Sequence, residues 1–292
     1  MIKSITMQAP AKLNLYLDIE EKLENGYHNM KMIMQTVTLF DDVKIEKNKS
    51  GKIEIYSSNN KMPLDEKNIA YKAAEAFYKL GKAEFTGLKI TIDKKIPMEA
   101  GMGGGSADAA AVLNGLNITE ESNISEEEML KTACLLGGDV PFALKGGTCS
   151  AEGIGEKLNS LKPISNMAFV IIKPDAGVST KEAFHRFDEE KIKNQDRYTD
   201  IIKALELNQR ENIISDMQNI FENLCPLKEV REYRDILLDA GAEKAMMTGS
   251  GSAVFGVFKN IDDAEKAAEK IRKEIKNVWT AVPFSKGACP KN

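Results

Sequence analysis

Four glycines fall within five positions of one stretch: Ile96, Pro97, Met98, Glu99, Ala100, Gly101, Met102, Gly103, Gly104, Gly105, Ser106, Ala107 and Asp108. Before it, residues 88–92 alternate apolar and polar side chains, the pattern of a half-buried strand. After it, residues 109–116 are rich in Ala and Leu and read as helix. A glycine loop thus joins a strand to a helix N-terminus. Without Cβ atoms, backbone N–H groups come close to a ligand and the chain can take positive φ. The first helical turn adds unpaired donors and a partial positive charge. Together these predict an anion site suited to the phosphates of a nucleotide. The loop is not a P-loop, because no Gly-Lys-Ser/Thr closes it. Nor is it the dinucleotide fingerprint, since the third glycine position falls on Ser106. A flexible loop of small residues is the alternative.

Upstream, residues 11–19 place Leu13, Leu15, Leu17 and Ile19 on one face of a strand and Lys12, Asn14, Tyr16 and Asp18 on the other. The polar face is either solvated or turned into a cleft. A turn over 24–28 delivers Tyr27 and His28. Residues 32–40 and 43–46 read as strands, and 52–56, after a turn at 47–51, as the returning strand of a hairpin. Helical spacing spans 68–80, with Gly81 placed to end it. Ser125 and Glu128 form a capping box for a helix that stops at Gly137-Gly138. Directly after it, Asp139 is held between a glycine pair and Pro141, as either a positioned carboxylate or an ordinary loop acid.

Beyond residue 160 the composition shifts. Residues 168–172 are continuously apolar, as in a strand covered on both faces. The charged span 188–212 predicts helix with a mobile surface segment. Helix over 230–240, a small-residue loop over 245–252, strand over 253–258, helix over 262–275 capped by Asp262 and Glu265, and strand over 278–284 follow. Strands and helices mix without strict βαβ alternation, so the expected fold class is α+β.

The 292 residues allow one large or two ordinary domains. A net charge of −4, with lysines interspersed among glutamates, argues against a nucleic-acid or anionic-membrane partner. The four cysteines match no zinc spacing and there are only two histidines, so no metal site is expected from them. No run of 18 apolar residues and no signal-peptide pattern occurs, and the expected location is the cytoplasm.

Three stretches together resemble the GHMP kinase superfamily: Pro10-Ala11-Lys12-Leu13-Asn14, residues 97–111, and Met247-Thr248-Gly249-Ser250-Gly251-Ser252. Within it, Pro10 to Leu15 followed by Gly26-Tyr27-His28, and Gly138-Asp139-Val140-Pro141-Phe142, resemble the kinases of cytidine-diphosphate-linked methylerythritol. The resemblance implies two α+β domains with the site between them: residues 1–160 would bind ATP and carry catalysis, and 161–292 would form the substrate side. The small-molecule substrate would be phosphorylated on a hydroxyl by ATP, with Mg²⁺ brought by the nucleotide. Lys12 and Asp139 would be the catalytic pair, with Asn14 beside them. ATP would lie along Pro97, Met98, Glu99, Ala100, Gly101, Met102, Gly103, Gly104, Gly105, Ser106 and Ala107, with Asn68 near the adenine. Tyr27 and His28 would hold the cytosine, and Thr180 and Phe184 would close over the substrate. The family loop usually has Gly where this chain has Glu99, and a carboxylate there would repel a triphosphate. Glu99 is therefore expected to point outward or to pair with Lys94 or Lys95. No acid cluster suggests a magnesium cage. A GHMP kinase for another small alcohol and a catalytically silent nucleotide binder are the competing readings.

Overall fold

The computed structural model describes residues 3–190, 192 and 195–291. The chain opens with two long antiparallel strands, β1 (Ser4–Lys22) and β2 (His28–Lys47). Their register shifts at Pro10/Ala11, at Asn14/Tyr16 and at Ile19/Glu21. Irregularities of this kind bend a strand and re-aim its side chains. Lys12 and Asn14 lie between the first two. The two regions read as separate strands, 32–40 and 43–46, are one continuous element.

β3 (Ile53–Ser57), α1 (Ile69–Lys79) and β4 (Leu88–Asp93) follow. The hairpin expected between 43–46 and 52–56 does not form. β4 inserts between the two strands, antiparallel to β2 and parallel to β3. The cause is the α1 crossover, which returns the chain parallel to β3, as a βαβ connection must. The turn at 47–51 bonds instead to the 86–87 backbone, with Asn48 N–H donating to Gly87 O and Gly51 N–H to Thr86 O, both at 3.0 Å.

α2 (Gly104–Thr119) begins inside the glycine loop rather than after it, with Gly103 as its N-cap. Ala107, Ala109, Ala110, Ala111, Val112, Leu113 and Leu116 are all fully buried. Small side chains let this helix lie close against β1 and α1 and anchor the loop that precedes it. α3 (Glu126–Cys134) starts as expected, Ser125 accepting from Glu128 N–H. α4 (Val140–Lys145) has Asp139 at its N-cap position with Pro141 in its first turn. β5 (Thr148–Gly153) and β6 (Lys157–Ser160) extend the first sheet from β2.

The second sheet contains β7 (Ala168–Ile172). The charged span beyond it holds α5 (Thr180–Glu190), α6 (Tyr198–Glu206) and α7 (Arg210–Asp216). Residues 191, 193 and 194 of the segment expected to be mobile lie outside the described residues. β8 (Gln218–Asn219) pairs with β1. α8 (Lys228–Asp239), β9 (Lys244–Met247), β10 (Val254–Phe258), α9 (Ile261–Ile271), β11 (Val278–Ala281) and β12 (Cys289–Pro290) complete the chain. α9 is capped by Asn260, which accepts from Asp263 N–H, rather than by Asp262 and Glu265. Asn260 has the extended backbone that a cap requires. The last strand stops at Ala281, short of the expected 284.

The architecture is α+β. The first sheet runs β12-β1-β2-β4-β3 with β5, β6 and β8 attached, and the second is the antiparallel β11-β7-β10-β9. α1 and α2 cover the first sheet; α8 and α9 pack on the second. Among the described residues no helix is long and apolar enough to cross a membrane.

Candidate active site

A cleft of about 480 Å³ opens between the glycine loop and the start of α5. Its floor is residues 97–105, one wall is Lys12 and Asp139, and the opposite side carries Thr180, Phe184, Gly249 and Ser250. Asn68, Met62 and Pro63 line the far end. Two chain segments about 130 residues apart in sequence thus deliver an amine and an acid to one place. Lys12 Nζ stands 3.8 Å from Asp139 Oδ2.

The local causes are legible. Lys12 lies on a polar face that is buried, not solvated: Lys12 is 6% exposed, and Asn14 and Tyr16 are fully covered. A buried ammonium must be matched by polar partners. Lys12 Nζ donates to Asn14 Oδ1 and faces Asp139. Its backbone N–H donates to Met102 O at 3.0 Å, tying β1 to the glycine loop. Gly103 has φ +68°, and a Cβ there would sit 3.1 Å from Lys12 Cγ and 3.7 Å from Asp139 Oδ2. The absent side chain is the space the lysine stem uses. Asn14 Nδ2 is buried without a partner. An orphaned donor of this kind costs about 1–3 kcal/mol unless a ligand takes it.

A second cluster lies under the loop. Lys94 Nζ donates to Asp108 Oδ2 at 2.8 Å and to Asp41 Oδ2. Asp41 Oδ1 accepts from Lys95 N–H at 2.6 Å and Ile96 N–H at 2.8 Å. One carboxylate therefore holds the start of the loop, and the lysine ties it to the helix where the loop ends. Burial, opposed by Lys94 and reinforced by Asp41, pushes the Asp108 carboxyl up to about 8. Burial also opposes the Lys94 charge, yet the two carboxylates carry its pKa above the usual lysine value. Asp108 Oδ1 is unpartnered. Asp41 was not singled out from sequence, since its partners lie more than 50 residues away.

Of the residues expected at the site, Lys12, Asp139, Asn68, Thr180, Phe184 and 97–105 line the cleft. Ala107 does not: its methyl is fully buried and its N–H donates to Gly103 O. It packs in the first turn of α2. Ser106 is half-buried at the first turn of α2. Asn68 is the N-cap of α1, accepting from Ala70 N–H and donating to Pro63 O, so both ends of its amide are engaged. Glu99 is exposed at the cleft and lays its side chain against Gly177. Neither lysine considered for it is its partner: Lys94 holds Asp41 and Asp108, and Lys95 holds Asp42 and Asp93.

Tyr27 is 60% exposed and stands outside the cleft lining. His28 is buried, with its ring stacked on Phe184 at 4.8 Å between centroids. Its Nε2 lies 2.7 Å from Asp188 Oδ1. Hydrogen bonds from Lys22 and His28 hold the Asp188 carboxyl below the usual carboxylate range. The small-residue loop expected over 245–252 is shorter: residues up to Met247 belong to strand β9, and only 248–252 form the loop. Its support was not legible: Asn219 Nδ2 donates to Met247 O and Gly249 O, from a two-residue strand with no sequence signature.

The profile of the GHMP kinases N terminal domain matches residues 68–147, and that of the GHMP kinases C terminal domain matches 190–277. The 4-diphosphocytidyl-2-C-methyl-D-erythritol kinase of Clostridium tetani is 41% identical over 276 residues, covering 94% of this chain and 98% of its own. That of Caldicellulosiruptor bescii is 42% identical over 279 residues, covering 93% and 96%. A crystal structure of 4-(cytidine 5'-diphospho)-2C-methyl-D-erythritol kinase superposes with TM-score 0.75 at 30% identity, over 97% of this chain and 100% of that one. A homoserine kinase from Cytophaga hutchinsonii superposes at 0.78 over 100% and 98%, but at 20% identity shares the fold alone. With matches spanning nearly its whole length, the chain belongs to the GHMP kinases, in the family of 4-diphosphocytidyl-2-C-methyl-D-erythritol kinases.

Proposed function

We propose that this chain transfers the γ-phosphoryl group of ATP to the 2-hydroxyl of 4-diphosphocytidyl-2-C-methyl-D-erythritol, a step of non-mevalonate isoprenoid precursor synthesis. The observation that carries the reading is the 3.8 Å approach of Lys12 Nζ to Asp139 Oδ2 at the rim of the glycine cradle. A pure nucleotide binder needs no such base.

Phosphoryl transfer requires positioning and charge neutralisation more than covalent chemistry. Asp139 accepts the proton of the attacking hydroxyl as the new O–P bond forms and the bond to the leaving ADP oxygen breaks. Lys12 neutralises charge gathering on the transferred group. The amides of 101–105 and the first turn of α2 hold the phosphates. The unpaired Asn14 amide stands beside Lys12 as a donor for the substrate. Thr180 and Phe184 face the alcohol, with Tyr27 and His28 on the cytosine side. Residues 1–160 form the nucleotide-binding, catalytic part and 161–292 the substrate side.

Among the described residues no cluster of three or more acidic, His or Cys side chains could cage a metal. Asp139, whose carboxylate lines the cleft, would offer an oxygen donor to a Mg²⁺ brought by the nucleotide, with waters and substrate phosphates as its other ligands. Such an ion supplies charge neutralisation at the phosphates. The test is ADP release from ATP with CDP-methylerythritol, homoserine and mevalonate offered separately. Turnover only with the first is expected; preference for another alcohol would overturn the substrate assignment.

A further inference from the structure

Residues 173–179 turn the corner between β7 and α5, the helix that carries Thr180 and Phe184. Lys173 closes that corner from beneath. It is 8% exposed, and its Nζ donates to the carbonyls of Pro174 at 2.6 Å, Asp175 at 3.3 Å and Ala176 at 3.3 Å. Its backbone N–H donates to Asn277 O, and Asn277 Nδ2 returns to Asp175 Oδ1 at 2.9 Å. Three carbonyls turned toward one ammonium make a rigid knuckle, because a buried charge gains only where its donors are all used.

Two other loops rest on this knuckle. Ser252 Oγ donates to Ala176 O at 2.7 Å, while Ser252 N–H donates to Glu99 O at 3.4 Å. Glu99, in the phosphate loop with φ +52°, lays its side chain on Gly177. A Cβ at Gly177 would stand 2.4 Å from Glu99 Oε2 and 2.5 Å from Glu99 Cβ. Thr180 and Ser250 hydroxyls meet at 2.9 Å on the cleft side. Burial holds the Lys173 pKa below the usual lysine range, and Glu99 is the leading negative charge opposing that shift. The carboxylate that would repel a triphosphate thus has the Lys173 charge acting on it from the corner beyond the loop.

We propose that Lys173 is a positioning residue for phosphoryl transfer: clamped on the 174–176 carbonyls, it fixes the corner on which Glu99 of the phosphate loop stands and from which Thr180 enters the cleft, so that nucleotide and alcohol are held in register. This rests on the kinase reading above. Neither Lys173 nor Glu99 touches the reacting atoms in this role; both act through the spacing of the two loops.

The experiment measures kcat, both KM values, thermal unfolding and the affinity of a non-hydrolysable ATP analogue by calorimetry. Lys173→Met is expected to lower kcat about tenfold or more and to raise KM for the alcohol, with Lys173→Arg recovering most of the loss. Gly177→Ala, which drives a methyl into Glu99, is expected to weaken analogue binding several-fold and lower kcat about tenfold. Adding Glu99→Gly to Gly177→Ala removes the collision and restores both. Wild-type kcat and KM in Lys173→Met and Gly177→Ala would overturn the inference. So would a Gly177→Ala defect that Glu99→Gly leaves untouched. If Lys173→Met does not fold, the Gly177→Ala and Glu99→Gly pair decides. A wild-type chain that turns over no CDP-methylerythritol would refute the substrate assignment instead, and the analogue affinities of the same pair would still decide the loop register.

Discussion

Replacing Lys94 by Met should unfold this protein well below the wild-type temperature. The Lys94, Asp41 and Asp108 side chains are 4%, 0% and 3% exposed. Without the amine, two carboxylates face each other with no cation between them. Asp41 keeps its backbone donors from Lys95 and Ile96, but Asp108 keeps none of its hydrogen bonds from Lys94. Removing one partner of a buried ion pair costs about 3–5 kcal/mol. At about 2–3 °C per kcal/mol for a chain of this size, the midpoint should fall by about 6–15 °C. The loss has a pH signature. Burial already raises the Asp108 carboxyl in the native state, and loss of Lys94 removes the charge that opposes the shift. The native variant therefore binds a proton that the unfolded chain releases above about pH 4. Its stability falls as pH rises from there through the raised native value. The wild type shares that slope up to about 8, so the deficit should grow only above it, and thermal scans should show a larger deficit at about pH 9.5 than at about pH 7. Pairing Lys94→Met with Asp108→Leu should recover part of the loss, since an apolar cluster replaces stranded charge. A midpoint within 2 °C of wild type at pH 8, or a deficit that ignores pH, would refute the reasoning.

Two further outcomes follow from the site. Asp139→Asn should lower kcat by about 10²–10⁴-fold while calorimetry shows ATP-analogue affinity little changed, since the acid is asked to move a proton rather than to bind phosphate. Full activity in that variant removes Asp139 from the mechanism. Tyr27→Ala should raise KM for the cytidine substrate by the equivalent of about 1–3 kcal/mol if the exposed ring swings in to stack on the base; an unchanged KM takes Tyr27 out of the site.

The site was legible where chemistry is written in consecutive residues. Four glycines before an alanine-rich stretch can do little except bring backbone amides to a helix N-terminus, and α2 starts at Gly104. Asn68 and Ser125 cap their helices where the spacing predicts, because capping is decided within four residues. At α9 the reading placed the cap at Asp262, whereas Asn260, two positions earlier and extended in backbone, holds it. What the sequence hid is pairing at a distance. Nothing local reveals that β4 slips between β2 and β3, or that Asp41 receives Lys94 from 53 residues away. Repulsion could suggest that Glu99 needs a place away from phosphate, but its seat on Gly177 depends on a corner formed more than 70 residues later.

β1 carries the candidate catalytic lysine, yet it is completed from the far end of the molecule. Met7 and Gln8 pair with Pro290 and Cys289, while Tyr16 and Leu17 pair with Gln218 and Asn219. During synthesis the strand that bears Lys12 is made long before residues 218–219 and 289–290, which complete its flank. A nascent chain halted short of residue 289 exposes a bare flank of β1, with backbone donors and acceptors open to any extended peptide nearby. The strand that carries Lys12 is thus guarded from mispairing along this flank only once residues 289–290 have been made.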